Sequence, residues 1–169
     1  DQFDYTITDN NGSSASATIY VTVGGTNDPP VAVDDYVSVD EDSTNNEFDV
    51  LSNDYDIDGY TLNVISVTTP MHGTASYTAD YVYYTPDANY DGADSFDYTI
   101  TDNNGSTASA TVYVTVDGVN DDPVAVDDYV SVDEDSSGNE FDVLSNDYDI
   151  DGDTLNVISV TTPLHGSAS

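Results

Sequence analysis

One short acidic segment occurs twice in the chain and carries carboxylates at alternate positions. Residues 53–59 read NDYDIDG, and residues 146–152 repeat the same letters. Carboxylates at every second position before a glycine let one loop turn several oxygens toward a single hard cation. Calcium takes 6–8 oxygen ligands at about 2.3–2.6 Å, and aspartate and asparagine both supply them. We therefore interpret this segment as a candidate calcium-binding loop.

The loop is not an EF-hand, although its opening is similar. Asp54, Asp56, Asp58 and Gly59 match the first half of that motif, but residues 62–67 are strand-like and no glutamate stands at the twelfth position. Solvated acidic turns, as in proteins of saline habitats, are the alternative interpretation. Further acidic groups lie at residues 34–35, 40–42 and 87–91 and at Asp102.

The charge balance excludes several classes of function. The 169 residues include 34 acidic side chains, no lysine, no arginine and no cysteine, which gives a formal charge of −34. Without cations there is no patch for nucleic acid or anionic lipid, no Schiff-base lysine and no internal salt bridge to Lys or Arg. Without cysteine there are no disulfides and no thiolate metal sites. We expect no nucleic-acid partner, no membrane insertion and counter-cations drawn from solution.

The whole chain is an internal repeat with a period of 93 residues. Residues 1–76 align without gaps to residues 94–169, and 65 of these 76 positions are identical. Such a period matches one small domain rather than a helical solenoid or propeller unit. The linker-like segments 27–30 and 120–123 suggest the boundaries. We predict the last strands of one repeat in 1–28, a complete domain in 29–121 and the first half of the next repeat in 122–169.

Period-two hydrophobic patterns predict strands throughout the repeat and essentially no helix. An Asn-Gly turn at residues 104–105 separates the last two strands, because both residues tolerate a positive φ. Short strands joined by turn residues indicate an all-β, two-sheet sandwich. The seven predicted strands are 31–39, 47–52, 61–68, 73–79, 81–85, one centred on residues 96–100, and 107–116.

The order of these motifs resembles a known family. VAVDD at 31–35, DVLSNDYDIDG at 49–59, the run from 83 to 105 and the linker at 119–123 are similar to the bacterial cadherin-like, immunoglobulin-like domains repeated in large secreted calcium-binding adhesins. The resemblance covers the whole chain. It implies tandem seven-stranded Greek-key sandwiches in a rod, with Ca²⁺ at each junction between domains.

The resemblance also implies a set of metal ligands, carried over from the cadherin pattern. For the first junction these are Asn27, Asp28, Asp54, Asp56 and Asp102. For the second junction they are Glu41, Asp87, Asn89, Asn120, Asp121, Asp147 and Asp149, and Glu134 is the copy of Glu41 in the next repeat. Asp58 and Asp151 are second-rank candidates. Because Asp117 precedes the second linker where Gly24 precedes the first, the two junctions are expected to bind the metal differently.

Other residues with reactive side chains have simpler interpretations. His72 and His165 lie in Thr-Thr-Pro-x-His-Gly segments and are interpreted as turn residues, not ligands. Paired carboxylates could serve a glycosidase, but a near-verbatim repeat of small sandwiches offers no deep cleft, so we predict no enzyme. Asn11 and Asn104 each begin an N-glycosylation sequon, and an ordinary Asn-Gly turn explains both without a sugar.

The sequence thus predicts an extracellular or cell-surface structural repeat protein, either an adhesin stalk or a surface filament rigidified by calcium. Two alternatives stay open, a calcium-dependent polysaccharide-binding module and an acidic surface-layer protein without specific metal sites. The expected partners are other copies of the repeat, joined head to tail, and cell-surface glycans for the second alternative. We expect the chain to continue covalently as part of a longer array; noncovalent head-to-tail completion by separate chains is the other arrangement.

Overall fold

A computed structural model describes residues 1–168, and its regular structure confirms the all-β prediction. Nine strands alternate with turns and loops. They are β1 (Gln2–Thr8), β2 (Ser14–Tyr20), β3 (Asp35–Asp40), β4 (Asn46–Phe48), β5 (Asn63–Val67), β6 (Gly73–Tyr77), β7 (Val82–Pro86), β8 (Gly92–Thr101) and β9 (Thr107–Asp117). Ser169, the last residue of the predicted half-repeat, lies outside the described residues.

Residues 35–117 form two sheets that face each other. One sheet has the strand order β3-β9-β8-β5 and the other has the order β4-β7-β6. Along β8 and β9 every second side chain is buried, as the alternation of apolar and polar residues predicts. Burial of these inward faces between the two sheets gives the immunoglobulin-like sandwich its stability. The core consists of Val39, Val50, Val64, Val82, Tyr84, Phe96, Tyr98, Ile100, Ala110, Val112, Val114 and Val116.

The pairing of β3 with β9 decides where the acidic linker leaves the domain. These two strands are parallel, and their last pair is Asp40 with Asp117. Parallel strands end at the same edge of a sheet, so the chain after β3 and the chain after β9 emerge side by side. The main-chain N–H of Glu41 donates to the carbonyl of Asp117 at 2.9 Å. Glu41 therefore sits at the exit of the linker.

One predicted strand has a different shape. The segment 47–52 was expected to be extended throughout, but β4 ends at Phe48 and a short 3-10 turn follows at Val50–Ser52. This turn directs Val50 into the core, where 1% of its surface is exposed. Alternation of apolar residues cannot distinguish a short turn from a continued strand when both bury the same valine.

The two end segments of the chain have little regular structure. Strands β1 and β2 form an antiparallel hairpin whose side chains are nearly all exposed. Among residues 122–168 the predicted first strands do not form, and the pairing recorded there is an isolated bridge between Val124 and Tyr148. In the complete domain, β3 pairs with β9 and β5 pairs with β8. Residues 122–168 contain no counterparts of β8 and β9, so their strand-forming segments have no neighbour to pair with.

Candidate metal site between repeats

Glu41 is the buried member of an acidic cluster at the second junction. Only 6% of its surface is exposed, although its carboxylate has no Lys or Arg anywhere in the chain to pair with. The main-chain N–H of Val119 donates to Oε1 of Glu41 at 2.6 Å. This bond ties the glutamate to the linker and fixes one of its oxygens next to the following repeat.

Two further carboxylates converge on Glu41 from other parts of the chain. Each of Glu41, Asp121 and Asp151 places an oxygen within 4.8 Å of the others. The main-chain N–H of Asp121 donates to Oδ2 of Asp151 at 2.7 Å, which positions the loop of the next repeat against the linker. Burial raises the pKa of Asp121, and the negative charges of Asp151, Asp42 and Glu41 raise it further. The cluster therefore concentrates repulsive charge that a divalent cation would neutralise.

Asn89 and Asp42 extend this cluster on the side of the complete domain. Both residues adopt positive φ angles, 53° and 56°, which turn their side chains toward the linker. The main-chain N–H of Asn89 donates to Asp42 Oδ1 at 3.0 Å. One end of the Asn89 amide lies 3.3 Å from Asp42 Oδ2 and 3.2 Å from Asp121 Oδ2. With the amide nitrogen at this end, Asn89 donates a hydrogen bond to each of the two carboxylates. With the amide oxygen at this end, Asn89 would instead be a ligand to a cation shared with Asp42 and Asp121.

The alternating-aspartate loops have the same local structure in both copies. The Oδ1 atom of Asp56 accepts the main-chain N–H of Asp58 at 2.8 Å, and Oδ1 of Asp149 accepts that of Asp151 at 3.0 Å. Gly59 and its copy Gly152 both have a φ of 78°, which glycine adopts without strain. The second carboxylate oxygen of Asp56 is buried and lacks a hydrogen-bond partner. An unpartnered carboxylate oxygen of this kind fits a cation ligand.

At the first junction the linker docks on the turn after β8. The side-chain amide of Asn27 donates to Asp102 Oδ2 at 2.7 Å, and the Asn104 amide donates to Asn27 Oδ1 at 2.8 Å. Burial by itself raises the pKa of Asp102, but hydrogen bonds from Asn27 and from the main chain of Asn104 and Ser106 outweigh it and lower the pKa. Asp102 is therefore held as an anion, and Asn104 has a structural role that favours the turn interpretation over a glycosylated asparagine.

The first junction repeats part of the second. The main-chain N–H of Asp28 donates to Asp58 Oδ2 at 2.8 Å, and the equivalent N–H of Asp121, one repeat later, donates to Asp151 Oδ2. Residues 1–28, however, contain no glutamate that could take the place of Glu41. Within the described residues, the group of three carboxylates close enough to share an ion lies at the second junction.

Asp54 and its copy Asp147 bind main-chain groups of their own repeats. Oδ1 of Asp54 accepts the N–H of Val33 at 2.8 Å, and Oδ1 of Asp147 accepts that of Val126 at 2.8 Å. The hydroxyl of the buried Tyr98 also lies 3.1 Å from both carboxylate oxygens of Asp54. These contacts fasten the acidic loop to the sandwich and place Asp54 beside Tyr98.

The remaining predicted ligands lie outside the three-carboxylate cluster. Asp87 and Glu134 are exposed, and the Asn120 side chain donates to the carbonyl of Asp121 at 2.8 Å. Sequence reasoning did not select Asp42, whose carboxylate contacts Asn89. The acidic run of residues 40–42 was a visible signal, but only the turn after β3 determines which of its carboxylates faces the linker.

The partly buried carboxylate of Asp35, beside Asp54, makes stability depend on pH. Burial raises the pKa of Asp35 to about 6, with a further contribution from the charge of Asp54. The folded state thus keeps the Asp35 carboxyl protonated up to about pH 6, whereas the unfolded chain releases this proton near the ordinary aspartate pKa of 3.8. Ionisation therefore destabilises the folded state fully above pH 6, and stability is regained as the pH falls toward 4.

We expect Asp35→Asn to remove this destabilisation of the folded state by the ionised carboxylate. In calcium-free buffer the variant should be more stable than the wild-type chain at pH 7 by about 1 kcal/mol, a value reduced for partial exposure of the carboxylate. The difference should shrink as the pH approaches 4. Urea unfolding at pH 7, 6, 5 and 4 measures this, with the exposed Asp80→Asn as the matched control. A pH dependence equal to that of the wild type in Asp35→Asn would contradict the prediction.

Comparison with known proteins identifies a family and one curated relative with similar sequence. Residues 27–115 and 120–169 each match the family model described as bacterial Ig domain. Over 87 residues the chain is 42% identical to Protein GAMETE EXPRESSED 2 of Arabidopsis thaliana. The aligned region covers 52% of this chain and 9% of that protein. The chain therefore spans only a small part of this curated relative.

Solved structures give a more distant likeness. The endo-fucoidan hydrolase MfFcnA4 of glycoside hydrolase family 107 aligns with a TM-score of 0.36 and 18% identity, over 73% of this chain and 21% of the enzyme. The endo-fucoidan hydrolase MfFcnA9 of the same family aligns with a TM-score of 0.34 and 18% identity, over 68% of this chain and 22% of the enzyme. Within residues 1–168, no helix has the length and apolar character needed to cross a membrane.

Proposed function

The chain belongs to the bacterial Ig domain family, and on this premise we propose that it is a non-enzymatic extracellular repeat protein whose junctions are stiffened by calcium. Its domains act as spacers in an adhesin stalk or surface filament, where successive copies follow one another head to tail. The observation that carries this proposal is the meeting of Glu41, Asp121 and Asp151 at the second junction.

These three carboxylates belong to three different parts of the junction. Glu41 follows β3 of the complete domain, Asp121 lies in the linker, and Asp151 lies in the acidic loop of the next repeat. An ion that binds all three is therefore bonded to both repeats and to the segment between them. Fixing the three together removes the rotational freedom that a linker of a few residues otherwise has.

Charge explains why the junction would depend on a cation. Without one, the carboxylates repel one another across less than 4.8 Å, well inside the Debye length of about 8 Å at 0.15 M salt. Monovalent salt screens the exposed Asp151 but screens the buried Glu41 much less. A divalent ion replaces this repulsion with direct oxygen ligation.

The ligand chemistry supports calcium over softer metals. The cluster offers carboxylate oxygens, and the Asn89 amide and the Asp149 carboxylate lie close to Asp121. Oxygen-only ligand sets suit calcium, and extracellular calcium modules bind at about 10⁻⁴–10⁻³ M. The junction would then be ordered at extracellular calcium concentrations and loosened at intracellular ones.

We predict that calcium raises the melting temperature of the full chain and extends it in solution, because ligation links the two repeats. Thermal unfolding and small-angle scattering, with millimolar calcium and with a chelator, measure the two effects. Sodium chloride at the same ionic strength is the control for screening and should reproduce neither effect. Identical melting and scattering curves in calcium, chelator and sodium would contradict the stiffening proposal.

An exposed aromatic pair supports glycan binding as a second candidate function. Tyr36 on β3 and Tyr113 on β9 stack with ring centroids 5.1 Å apart on the outer face of the four-stranded sheet, and Tyr36 is 78% exposed. Aromatic faces of this kind can pack against the apolar face of a sugar. A glycan array probed with the full chain tests this function. Tyr36→Ala should abolish a true signal, whereas Tyr77→Ala on the other sheet should retain it.

A further inference from the structure

We propose that the outer face of the four-stranded sheet carries a carbohydrate-binding slot, and that this slot accepts glycans without sulfate or carboxylate groups. The inference rests on the glycan-binding candidate function, to which it adds a site and a class of ligand. The slot lies within the complete domain, between Tyr113 on β9 and the segment that contains Met71. It shares no residue with the three-carboxylate cluster at the second junction.

Tyr113 forms one wall of the slot. Tyr36 lies beside it on β3, and the two rings stack at 15° to each other with centroids 5.1 Å apart. Tyr36 therefore covers the face of the Tyr113 ring that is turned toward β3. The strand order β3-β9-β8-β5 turns the other face toward β8, where Ser95 is paired with Tyr113. Because serine is small, this face stays open, and Tyr113 is 43% exposed.

Met71 forms the opposite wall. It belongs to the Thr-Thr-Pro-x-His-Gly segment, which follows β5 and lies along β8 on the side away from β9. The main-chain N–H of Thr68 donates to the carbonyl of Asp97 at 2.8 Å, and that of Met71 donates to Asp94 Oδ1 at 3.1 Å. These bonds hold the segment in place, yet the Met71 side chain is 82% exposed. Its copy is Leu164, so the repeat keeps a large apolar residue at this position.

Between the two walls lies an open cavity of about 560 Å³, whose floor consists of Ala93 and Ser95 on β8. Sites for small ligands have volumes of about 300–1,000 Å³. Thr69 and His72 also line the cavity and supply hydrogen-bonding groups. The His72 ring is held by a stack on Tyr90, with centroids 4.1 Å apart. Apolar walls with a few positioned polar groups suit a sugar ring, which has an apolar face and a hydroxyl-bearing edge.

The charge of the chain decides which glycans the slot accepts. Sulfate and carboxylate groups are recognised mainly through Arg and Lys, and the sequence contains neither residue. The buried Asp94 lines the cavity and adds a negative charge, while its oxygens already accept the main-chain N–H groups of Met71 and His72. An anionic glycan would therefore be repelled without a compensating contact. The slot thus favours glycans that carry no anionic group.

The repeat itself varies at the floor of the slot. Ser95 corresponds to Gln2 in the other copy, and Gln2 pairs with Tyr20 as Ser95 pairs with Tyr113. A glutamine side chain extends further from the strand than a serine side chain and would occupy the space against the tyrosine ring. Ser95→Gln therefore fills the slot with a residue that the equivalent pair of strands already accommodates.

A glycan array probed with the full chain tests the class of ligand. The array carries neutral glucose- and galactose-based oligosaccharides beside sulfated and uronic-acid-containing oligosaccharides of the same lengths. Calcium and salt concentrations are held fixed, so that the state of the junction does not vary between spots. Binding should be confined to oligosaccharides without sulfate or carboxylate groups.

Isothermal titration calorimetry with the neutral oligosaccharide that gives the strongest signal then tests the site. Ser95→Gln and Met71→Asp should each weaken binding at least about tenfold, because one fills the slot and the other places a charge on its apolar wall. Met71→Leu keeps the apolar wall and should bind within about twofold of the wild type. Ser76→Gln makes the same change as Ser95→Gln on the exposed surface of β6 and should leave the affinity unchanged. Circular dichroism checks that each variant is folded.

The outcomes separate this inference from the candidate function on which it rests. Sulfated or uronic-acid-containing glycans that bind as tightly as neutral ones would overturn the inference and leave glycan binding in place. The same holds if Ser95→Gln or Met71→Asp keeps the affinity of the wild type. The absence of a signal from every glycan on the array would overturn both the inference and the glycan-binding function.

Discussion

The Asp121→Asn variant is expected to lose at least about tenfold in calcium affinity at its tightest binding step. The substitution preserves the shape of the side chain and the main-chain N–H that donates to Asp151. It removes one of three negative charges that lie within 4.8 Å of one another. Since calcium affinity depends on the number of charged ligands, this loss should appear directly in isothermal titration calorimetry.

The repeat provides a matched control for this substitution. Asp28 is the counterpart of Asp121 and makes the same main-chain contact, with Asp58. No residue equivalent to Glu41 accompanies it in the chain, because residues 1–28 contain no glutamate. Asp28→Asn should therefore leave the tightest binding step unchanged. Equal losses in both variants would indicate general electrostatic attraction instead of a site built on Glu41, Asp121 and Asp151.

The largest expected effect on folding is that of Asp94→Ala. This buried carboxylate accepts the main-chain N–H groups of Met71 at 3.1 Å and His72 at 2.9 Å and the hydroxyl of Tyr84 at 3.0 Å. Its removal deprives the buried Tyr84 hydroxyl and two partly buried main-chain N–H groups of an acceptor. The variant should lose about 3 kcal/mol in the free energy of unfolding. Urea unfolding of the full chain, followed by circular dichroism, measures the change.

An aspartate on the same strand serves as the comparison. Asp97 also lies on β8, but it faces solvent and accepts the hydroxyl of Thr111 at 2.8 Å. Asp97→Ala should cost less than about 1 kcal/mol, because its partner can bond to water instead. Similar losses in the two variants would mean that the buried network around Asp94 does not stabilise the sandwich in the way its contacts indicate.

The strands were predictable because each sandwich face follows a period of two. The inward residues Phe96, Tyr98 and Ile100 alternate with polar neighbours, and every one of them is buried. The end of β4 was not predictable, since Val50 reaches the core through a turn. The predicted strands after residue 122 did not form because strand formation requires a paired neighbour, which sequence alternation alone does not report.

The candidate site was predictable in part, from residues at the ends of elements. Glu41 and Asp121 were selected through the cadherin resemblance, and the parallel exit of β3 and β9 explains why they meet. The contact of Asp42 with Asn89 depends on two positive φ angles, which the sequence does not specify for aspartate and asparagine. The position of Asp54 depends on the hydroxyl of Tyr98, a long-range contact between residues 44 positions apart.

A crystal structure of the full chain grown in millimolar calcium tests the central proposal most directly. Our account predicts an ion at the second junction with oxygens of Glu41, Asp121 and Asp151 as ligands at about 2.3–2.6 Å. Anomalous scattering from the ion would identify it as calcium. The same fold with no ion bound to these three residues at saturating calcium, or with ions bound only elsewhere, would contradict the account.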